Sequence, residues 1–383
     1  YFSETLRDRK SFNQEFRIVS DSADFQENSF FEWVIGANYL ELKESNLKKD
    51  DGLYGDPSDP YGPYASASAS SSKYKSSNFS VFGNLDYLLS ASLKFSIGLR
   101  WEDWEADYSD SLQESFNPTD KMSGGKISLI KNMTNDTNMY ASLAKGYKQG
   151  GFNLGLGLDA NATNKNLAYD PEFLTNYELG INTKLLDSKI TFNGVLFYSD
   201  REDQQVLIST QTDPSDPNTF SFLTQNAAEG VNHGLEINMD MGINQFLSAF
   251  VNLGILKTEI KNWQSRQDLE GRAQAHAPER SYALGLNWAP TSHTYLAIDF
   301  TGKSSFYYSD SHNNKSKSYV LTNLNLGYVK NNWNYELWAR NIFDEYYSVR
   351  GFYFGNEAPN FIDTLYERHG DPRHIGVSIR YDF

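Results

Sequence analysis

Apolar residues recur at every second position along most of this chain, and helical spacing is scarce. From Ser281 to Trp288 the large residues Tyr282, Leu284, Leu286 and Trp288 alternate with Ser281, Ala283, Gly285 and Asn287. Such a segment lays one apolar and one small or polar face on the two sides of a sheet. Tyr177, Leu179 and Ile181 alternate in the same way with Asn176, Glu178 and Gly180, and Leu324, Leu326 and Tyr328 with Asn323, Asn325 and Gly327. The final run sets Ile375, Val377, Ile379, Tyr381 and Phe383 against His374, Gly376, Ser378, Arg380 and Asp382. About fifteen such segments begin near residues 11, 30, 77, 92, 121, 137, 172, 188, 226, 245, 279, 292, 318, 332 and 373, and the pattern predicts a strand at each.

The connections alternate in length. Short turns are expected at Ser90 and Ala91, Leu186 to Ser188, Gly242 to Asn244, Pro290 and Thr291, and Lys330 to Asn332. Long connections are expected near 43–76, 107–120, 149–171, 205–225, 263–278, 304–317 and 345–372. Residues 51–64 (DGLYGDPSDPYGPY) and 65–72 (ASASASSS) read as low-complexity loop. A soluble antiparallel sheet with one wet face accounts for any single segment. Short turns on one rim, long loops on the other and strands of roughly 9 to 11 residues or more are the build of an outer-membrane β-barrel. Trp288, Tyr328, Trp333, Tyr335 and Tyr381 sit where strands meet turns, the place of an interfacial girdle. No helix or second sheet is predicted to cover the apolar face, and lipid is the simplest cover.

Composition narrows the classes further. The 383 residues include no Cys, which removes disulfides, thiolate zinc sites and thiol nucleophiles. A net charge of −15 without a basic stripe argues against nucleic acid. The 7 Trp, 25 Tyr and 25 Phe are too much apolar bulk for a disordered chain. No window approaches the roughly 18 to 20 apolar residues of a membrane-spanning helix, and the chain opens at Tyr1 without a signal-peptide pattern, as a mature protein or fragment would.

Several runs resemble one family, the TonB-dependent outer-membrane receptors, over essentially the whole chain. Phe12 to Arg17 (FNQEFR) is similar to the family's QEFR strand, and Phe82-Gly83-Asn84 with Gly98-Leu99-Arg100 to its next hairpin. Tyr140 to Asn153 (YASLAKGYKQGGFN), Pro171-Glu172 with Tyr177 to Gly180, Asn341 to Tyr347 (NIFDEYY), and Asp371-Pro372-Arg373 leading to Phe383 follow in the family's order. These runs also have plain structural readings: Gly150 and Gly151 permit a sharp turn, Glu178 faces inward while Tyr177 and Leu179 face lipid, and Asn341 to Asp344 can hydrogen-bond neighbouring strands.

The resemblance implies the C-terminal part of a 22-stranded barrel. The plug domain, the TonB-coupling segment and roughly seven strands are then expected to precede Tyr1. It implies an outer-membrane location in a Gram-negative bacterium and active uptake of a ferric siderophore or other iron complex, energised by TonB. Cobalamin, haem and oligosaccharides are alternative cargo, and a passive channel or adhesin is the alternative class. Implied partners are the TonB complex, the barrel assembly machinery, and outer-membrane lipid with lipopolysaccharide. A terminal Tyr381 and Phe383 are the implied insertion signal, which puts Phe383 at the periplasmic rim and every long loop outside.

Ligand contacts are expected from loop aromatics and cations, namely Tyr54, Tyr61, Tyr64, Phe152, Arg266, Arg272, His276, Tyr307, Tyr308, His312, Phe352 and Tyr353. Tyr offers area and one hydroxyl at low entropic cost. No catalytic residue, resident metal or cofactor is expected, since His233, His276, His293, His312, His369 and His374 are scattered over turns, loops and strand ends. Asp200, Glu202, Asp203, Asp213 and Asp216 have oxygen ligands but lack the spacing of a calcium loop, and read as a solvated acidic rim.

Overall fold

The computed structural model describes residues 2–20, 30–54, 64–111, 115–153, 168–211, 220–263, 266–355, 357 and 362–383. Among these residues there are fifteen long strands and no α-helix; the only helical turn is a 3-10 turn, Gln267–Leu269. The strands are β1 (Phe2–Val19), β2 (Phe31–Tyr54), β3 (Tyr64–Ser90), β4 (Leu93–Asp110), β5 (Thr119–Asn132), β6 (Thr137–Lys148), β7 (Glu172–Leu185) and β8 (Ile190–Gln211). They continue as β9 (Phe220–Asn244), β10 (Leu247–Asn262), β11 (Arg280–Thr291), β12 (Thr294–Lys303), β13 (Tyr319–Lys330), β14 (Trp333–Arg340) and β15 (His374–Tyr381). Their hydrogen-bonded order is the chain order, and β1 and β15 end the path. All fifteen expected segments are therefore strands.

Two expectations need correction. The segment 43–76 is not a loop: β2 runs to Tyr54 and β3 starts at Tyr64, paired in register from Phe31 with Tyr87 to Tyr54 with Tyr64. Residues 65–72 are strand, opposite 46–53. Alternating Ser and Ala leave the backbone free to complete its ladder, and a low-complexity composition does not forbid that. Likewise 205–225 shrinks, because β8 and β9 stay paired through a bulge near Arg201 and Gln204 as far as Gln211 and Phe220.

The chain divides into two compact units. The first comprises Tyr1–Leu88, Ser96–Lys126 and Gly146–Gly151. Its β1 and β2 pair from Phe2 with Asp51 to Val19 with Val34, so alternate residues share faces across both strands. Phe12, Phe16, Ile18, Ile35 and Phe79 are exposed on one face. The other carries hydrogen-bonding side chains: Arg9 donates to Glu44, 2.7 Å, and Asn38 to Asn13, 2.6 Å.

The second unit comprises Leu89–Phe95, Ile127–Lys145 and Phe152–Phe383. Its strands β7 to β15 are joined alternately by tight turns and long segments. Leu186, Asp187, Ser188 and Asn331 take positive φ in the tight turns, as reversals of two or three residues require. Trp288, Tyr328, Trp333, Tyr335 and Tyr381 are all exposed near these turns, and the Trp333 ring lies 4.8 Å from that of Tyr381. Tyr177 and Leu179 are exposed while Glu178 on the opposite face accepts from Asn176, 2.8 Å, as the alternation requires. On that polar face the Tyr140 ring covers Gly180 and the Tyr295 ring covers Gly327, leaving no room for a Cβ at either glycine.

Candidate functional site: a stapled loop layer

Three long connections in the second unit fold onto one another: residue 263 with residues 266–279, residues 304–318, and the hairpin Ser348–Phe354 with Thr364–His369. Their base is an apolar cluster in which Trp263 and Leu269 of the first connection pack with Val206, Ala228 and Ile260 of β8, β9 and β10. Arg272 projects from this base into the second connection. Its guanidinium donates to His312 O and Asn313 Oδ1, both 2.9 Å, to Ser309 O, 3.1 Å, and to Asp310 Oδ1, 3.0 Å. Asp310 Oδ1 also accepts from Ala275 N, 3.1 Å, so one partly buried ion pair ties two irregular backbones together. Irregular segments cannot satisfy their carbonyls with a ladder, and the five-donor guanidinium does it instead.

The Tyr307 ring meets two cations, Arg272 at 4.3 Å and Lys315 at 4.1 Å from its centroid. His276 takes φ 55°, donates its backbone N to Tyr307 O, 2.9 Å, and rests its ring 5.6 Å from Phe306. Tyr308 is 2% exposed, packs edge-on to Phe306, and donates its hydroxyl to Glu367 of the hairpin. Gly351 is a glycine for this reason: the Tyr308 ring occupies the space of a Cβ. Burial, and then the Glu367 carboxylate, push the Tyr308 hydroxyl up to about 12, so it remains a donor. The His312 ring lies tilted against that of Tyr353 at 5.8 Å, and burial followed by the Arg272 charge lowers its pKa, which favours neutral imidazole.

The predicted contacts therefore separate by role. Arg272, Tyr307, Tyr308, His276 and His312 do come together, but Arg272 and Tyr308 are consumed in holding the layer. Phe352 and Tyr353 are 41% and 42% exposed on the hairpin. Arg266 stands apart, paired bidentate with Asp268 at 2.9 Å on the 3-10 turn; its hydrogen bonds, and then its charge, lower the Asp268 pKa. Phe152 is buried rather than offered to solvent. Tyr54 and Tyr64 face each other across the ends of β2 and β3, with side chains outside the described set. Tyr61, Asp213 and Asp216 lie outside the described residues. Among the described residues no three His, Cys, Asp or Glu side chains converge as a metal site.

Two cations were missed by reading the sequence. Arg350 lies 4.6 Å over the Phe352 ring and Lys315 over Tyr307. The run Arg350-Gly351-Phe352-Tyr353-Phe354, with a cation two residues before an aromatic on one strand face, carried the signal for the first. Nothing in sequence links Lys315 to Tyr307.

The recurrent runs are explained by side-chain staples. Tyr147 of the GYK run donates to Glu102, 3.0 Å, which also receives Arg100 at 2.7 Å and Asn78 at 2.5 Å on the polar face of the first unit. Asn153 exchanges two hydrogen bonds with the backbone of Thr224, 2.9 and 2.7 Å. Asn341, at φ 47°, donates to Glu345 O and Asp371 O and accepts from Glu345 N, while Asp344 accepts from Arg373 N, 2.8 Å. This closes the connection between β14 and β15 at its base.

The family model "TonB dependent receptor-like, beta-barrel" matches residues 1–342. The chain belongs to that family. Strand order, tight turns on one side and stapled loops on the other are the family's barrel wall. The pesticin receptor of Yersinia pestis is 23% identical over 68% of this chain and 36% of its own length. The solved ferric yersiniabactin uptake receptor FyuA from Yersinia pestis aligns over 100% of this chain and 55% of its own, at TM-score 0.78 and 18% identity. The siderophore receptor PiuA from Acinetobacter baumannii aligns at TM-score 0.74 and 17% identity over 98% and 56%. The copper transporter OprC aligns at TM-score 0.74 and 13% identity over 100% and 58%. The chain thus spans about a third of the curated relative and about half of the solved ones, and at these identities the structures establish the fold.

Proposed function

We propose that this chain is the wall and outer loops of a TonB-energised outer-membrane receptor that captures a ferric siderophore or other iron complex and passes it to the periplasm. The carrying observation is the loop layer, in which Phe352 and Tyr353 are exposed, Arg350 lies over the Phe352 ring and Lys315 over the Tyr307 ring, on a base locked by Arg272 and Tyr308. Aromatic faces with adjacent cations suit a large, flat, anionic complex. A metal brought inside its own chelator needs no ligands from the protein. Names among the relatives, a pesticin receptor and a ferric yersiniabactin uptake receptor, support this cargo class. The copper transporter of the same fold is the reason cargo must be measured rather than read from the wall.

In this reading residues 1–383 are one barrel domain's C-terminal portion, with TonB engaged through the N-terminal region of the whole receptor. The whole receptor works as a transporter and not an enzyme. Tyr381 and Phe383, whose rings meet at 5.1 Å, serve the assembly machinery at the periplasmic rim. The test is uptake of radiolabelled iron complexes by cells whose only iron-complex receptor is the intact protein. Saturable uptake abolished by a protonophore and by loss of TonB is expected. Uptake indifferent to both would instead establish a passive channel, and competition by cobalamin, haem or oligosaccharide would reassign the cargo.

A further inference from the structure

Tyr346 and His369 stand at the foot of the hairpin that carries Phe352 and Tyr353, outside the staples described above. Tyr346 Oη lies 2.6 Å from His369 Nε2, and the two rings meet at 4.2 Å. The Tyr346 ring is 76% exposed, so packing does not account for it. The other ring nitrogen, His369 Nδ1, lies 3.1 Å from Ser348 Oγ. Ser348 in turn hydrogen-bonds Tyr308, whose hydroxyl donates to Glu367.

The direction of every bond in this row is fixed from its far end. An ionised carboxylate only accepts, so the one proton of the Tyr308 hydroxyl is committed to Glu367. The Tyr308 oxygen then accepts from Ser348, and Ser348 Oγ, its own proton committed, accepts from His369 Nδ1. Neutral imidazole carries one N–H, so Nε2 keeps its lone pair and turns it to the Tyr346 phenol. A ring held by a hydrogen bond on one nitrogen with the other left open is how proteins present histidine to a metal. The phenol beside it, once its proton leaves, is a hard anionic oxygen.

Two donors are too few for a resident metal, and among the described residues no three His, Cys, Asp or Glu side chains gather to complete a shell. They suit a metal that arrives with the rest of its ligands. Adjacent ligands about 2.0–2.1 Å from a metal, at near right angles, stand roughly 2.9 Å apart. The 2.6 Å pair needs to open only slightly to hold one ion.

We propose that Tyr346 Oη and His369 Nε2 complete the coordination of ferric iron carried by a chelator that leaves two adjacent positions to water. Two iron–water bonds break, and an iron–oxygen bond to Tyr346 and an iron–nitrogen bond to His369 form. The phenol proton leaves to solvent with the two waters, and iron stays ferric throughout. This rests on the receptor reading above and narrows its cargo to chelates with open positions.

The intact receptor in mild detergent is titrated with ferric nitrilotriacetate, which leaves two positions open, and with ferric desferrioxamine, which leaves none. A visible phenolate-to-iron charge-transfer band is expected with the first only. Tyr346→Phe is expected to abolish the band and Tyr353→Phe to retain it. His369→Gln is expected to weaken binding of the open chelate by about tenfold or more. A band that survives in Tyr346→Phe, or that is equal for both chelates, would overturn the site.

X-ray absorption at the iron edge gives a check that needs no variant. Imidazole scattering is expected from wild-type receptor loaded with ferric nitrilotriacetate, and its absence would overturn the role of His369. TonB-dependent uptake of the open chelate without a band would overturn the site and keep the transport reading. A band without energised uptake of that chelate would overturn the transport reading and keep the site.

Discussion

The β2 and β3 ribbon and the loop layer above β10 to β15 solve one problem by opposite means. Both must satisfy long runs of backbone beyond the membrane-crossing part of the strands. The ribbon does so with an unbroken antiparallel register from Phe31 with Tyr87 to Tyr54 with Tyr64, and the outer side chains of β3 at 65–72 are all Ser and Ala. The loop layer has almost no ladder and relies on Arg272, Asp310, Tyr308 and the Trp263 cluster. Shape is carried by backbone in one and by a few buried side chains in the other. Their tolerance to substitution should differ accordingly.

The largest effect is expected from Arg272→Ala, which leaves the partly buried Asp310 carboxylate without its cation and three further acceptors unmatched. Removing one partner of a fully buried pair costs about 3–5 kcal/mol and this partly buried one is expected at about the lower end, seen as accelerated hydrogen exchange across 272–276 and 307–314 in the intact receptor. Exchange unchanged there would mean the layer is not held by its staple. Tyr308→Phe removes one hydroxyl bond to a carboxylate and is expected to cost about 1.5–3 kcal/mol, loosening the hairpin Ser348–Phe354 and Thr364–His369 first.

A pH series sharpens the same contrast. Folded His312 favours the neutral ring, so the opened segment binds more protons below its ordinary value of about 6.5. Its contribution is present above that pH and is lost as pH falls through the lowered folded value, so exchange in 307–314 should rise on acidification below about pH 6.5 and the ribbon's should not. His312→Gln should flatten that response. Tyr308 works in the other direction: its raised pKa adds stability below pH 10 that fades as pH climbs through about 12. The smallest effect is expected for Ser68→Ala with Ser70→Ala on the ribbon, within about 0.5 kcal/mol. A loss of several kcal/mol there would show that side chains, not the ladder, order the ribbon.

Strand positions were legible because a two-residue period is a local property of the chain, and it survives any loop chemistry. The same locality explains the error at 43–76. Residues 65–72 have no apolar alternation, since both faces of the ribbon meet water or polar neighbours, and only the partner strand reveals them as β-structure. Of the candidate contacts, Phe352 and Tyr353 are exposed, whereas Tyr308 and Phe152 have the same composition signal and are buried. Whether a loop aromatic is offered or hidden depends on groups far away in sequence, here Glu367 for Tyr308. Arg272 was legible as a loop cation, but its four acceptors lie 37 to 41 residues away.

The rings over Gly180 and Gly327 have a consequence for assembly. A strand that slips by one residue turns its apolar face to the lumen and is rejected by solvation alone. A slip by two keeps every face correct and loses almost no hydrogen bonds, so hydrophobic sorting is blind to it. The Tyr295 ring is not blind, because a two-residue slip replaces Gly327 beneath it with Asn325 or Val329. Each covered glycine acts as a ward in a lock that only one register opens, and the wall proofreads its own threading as it zips.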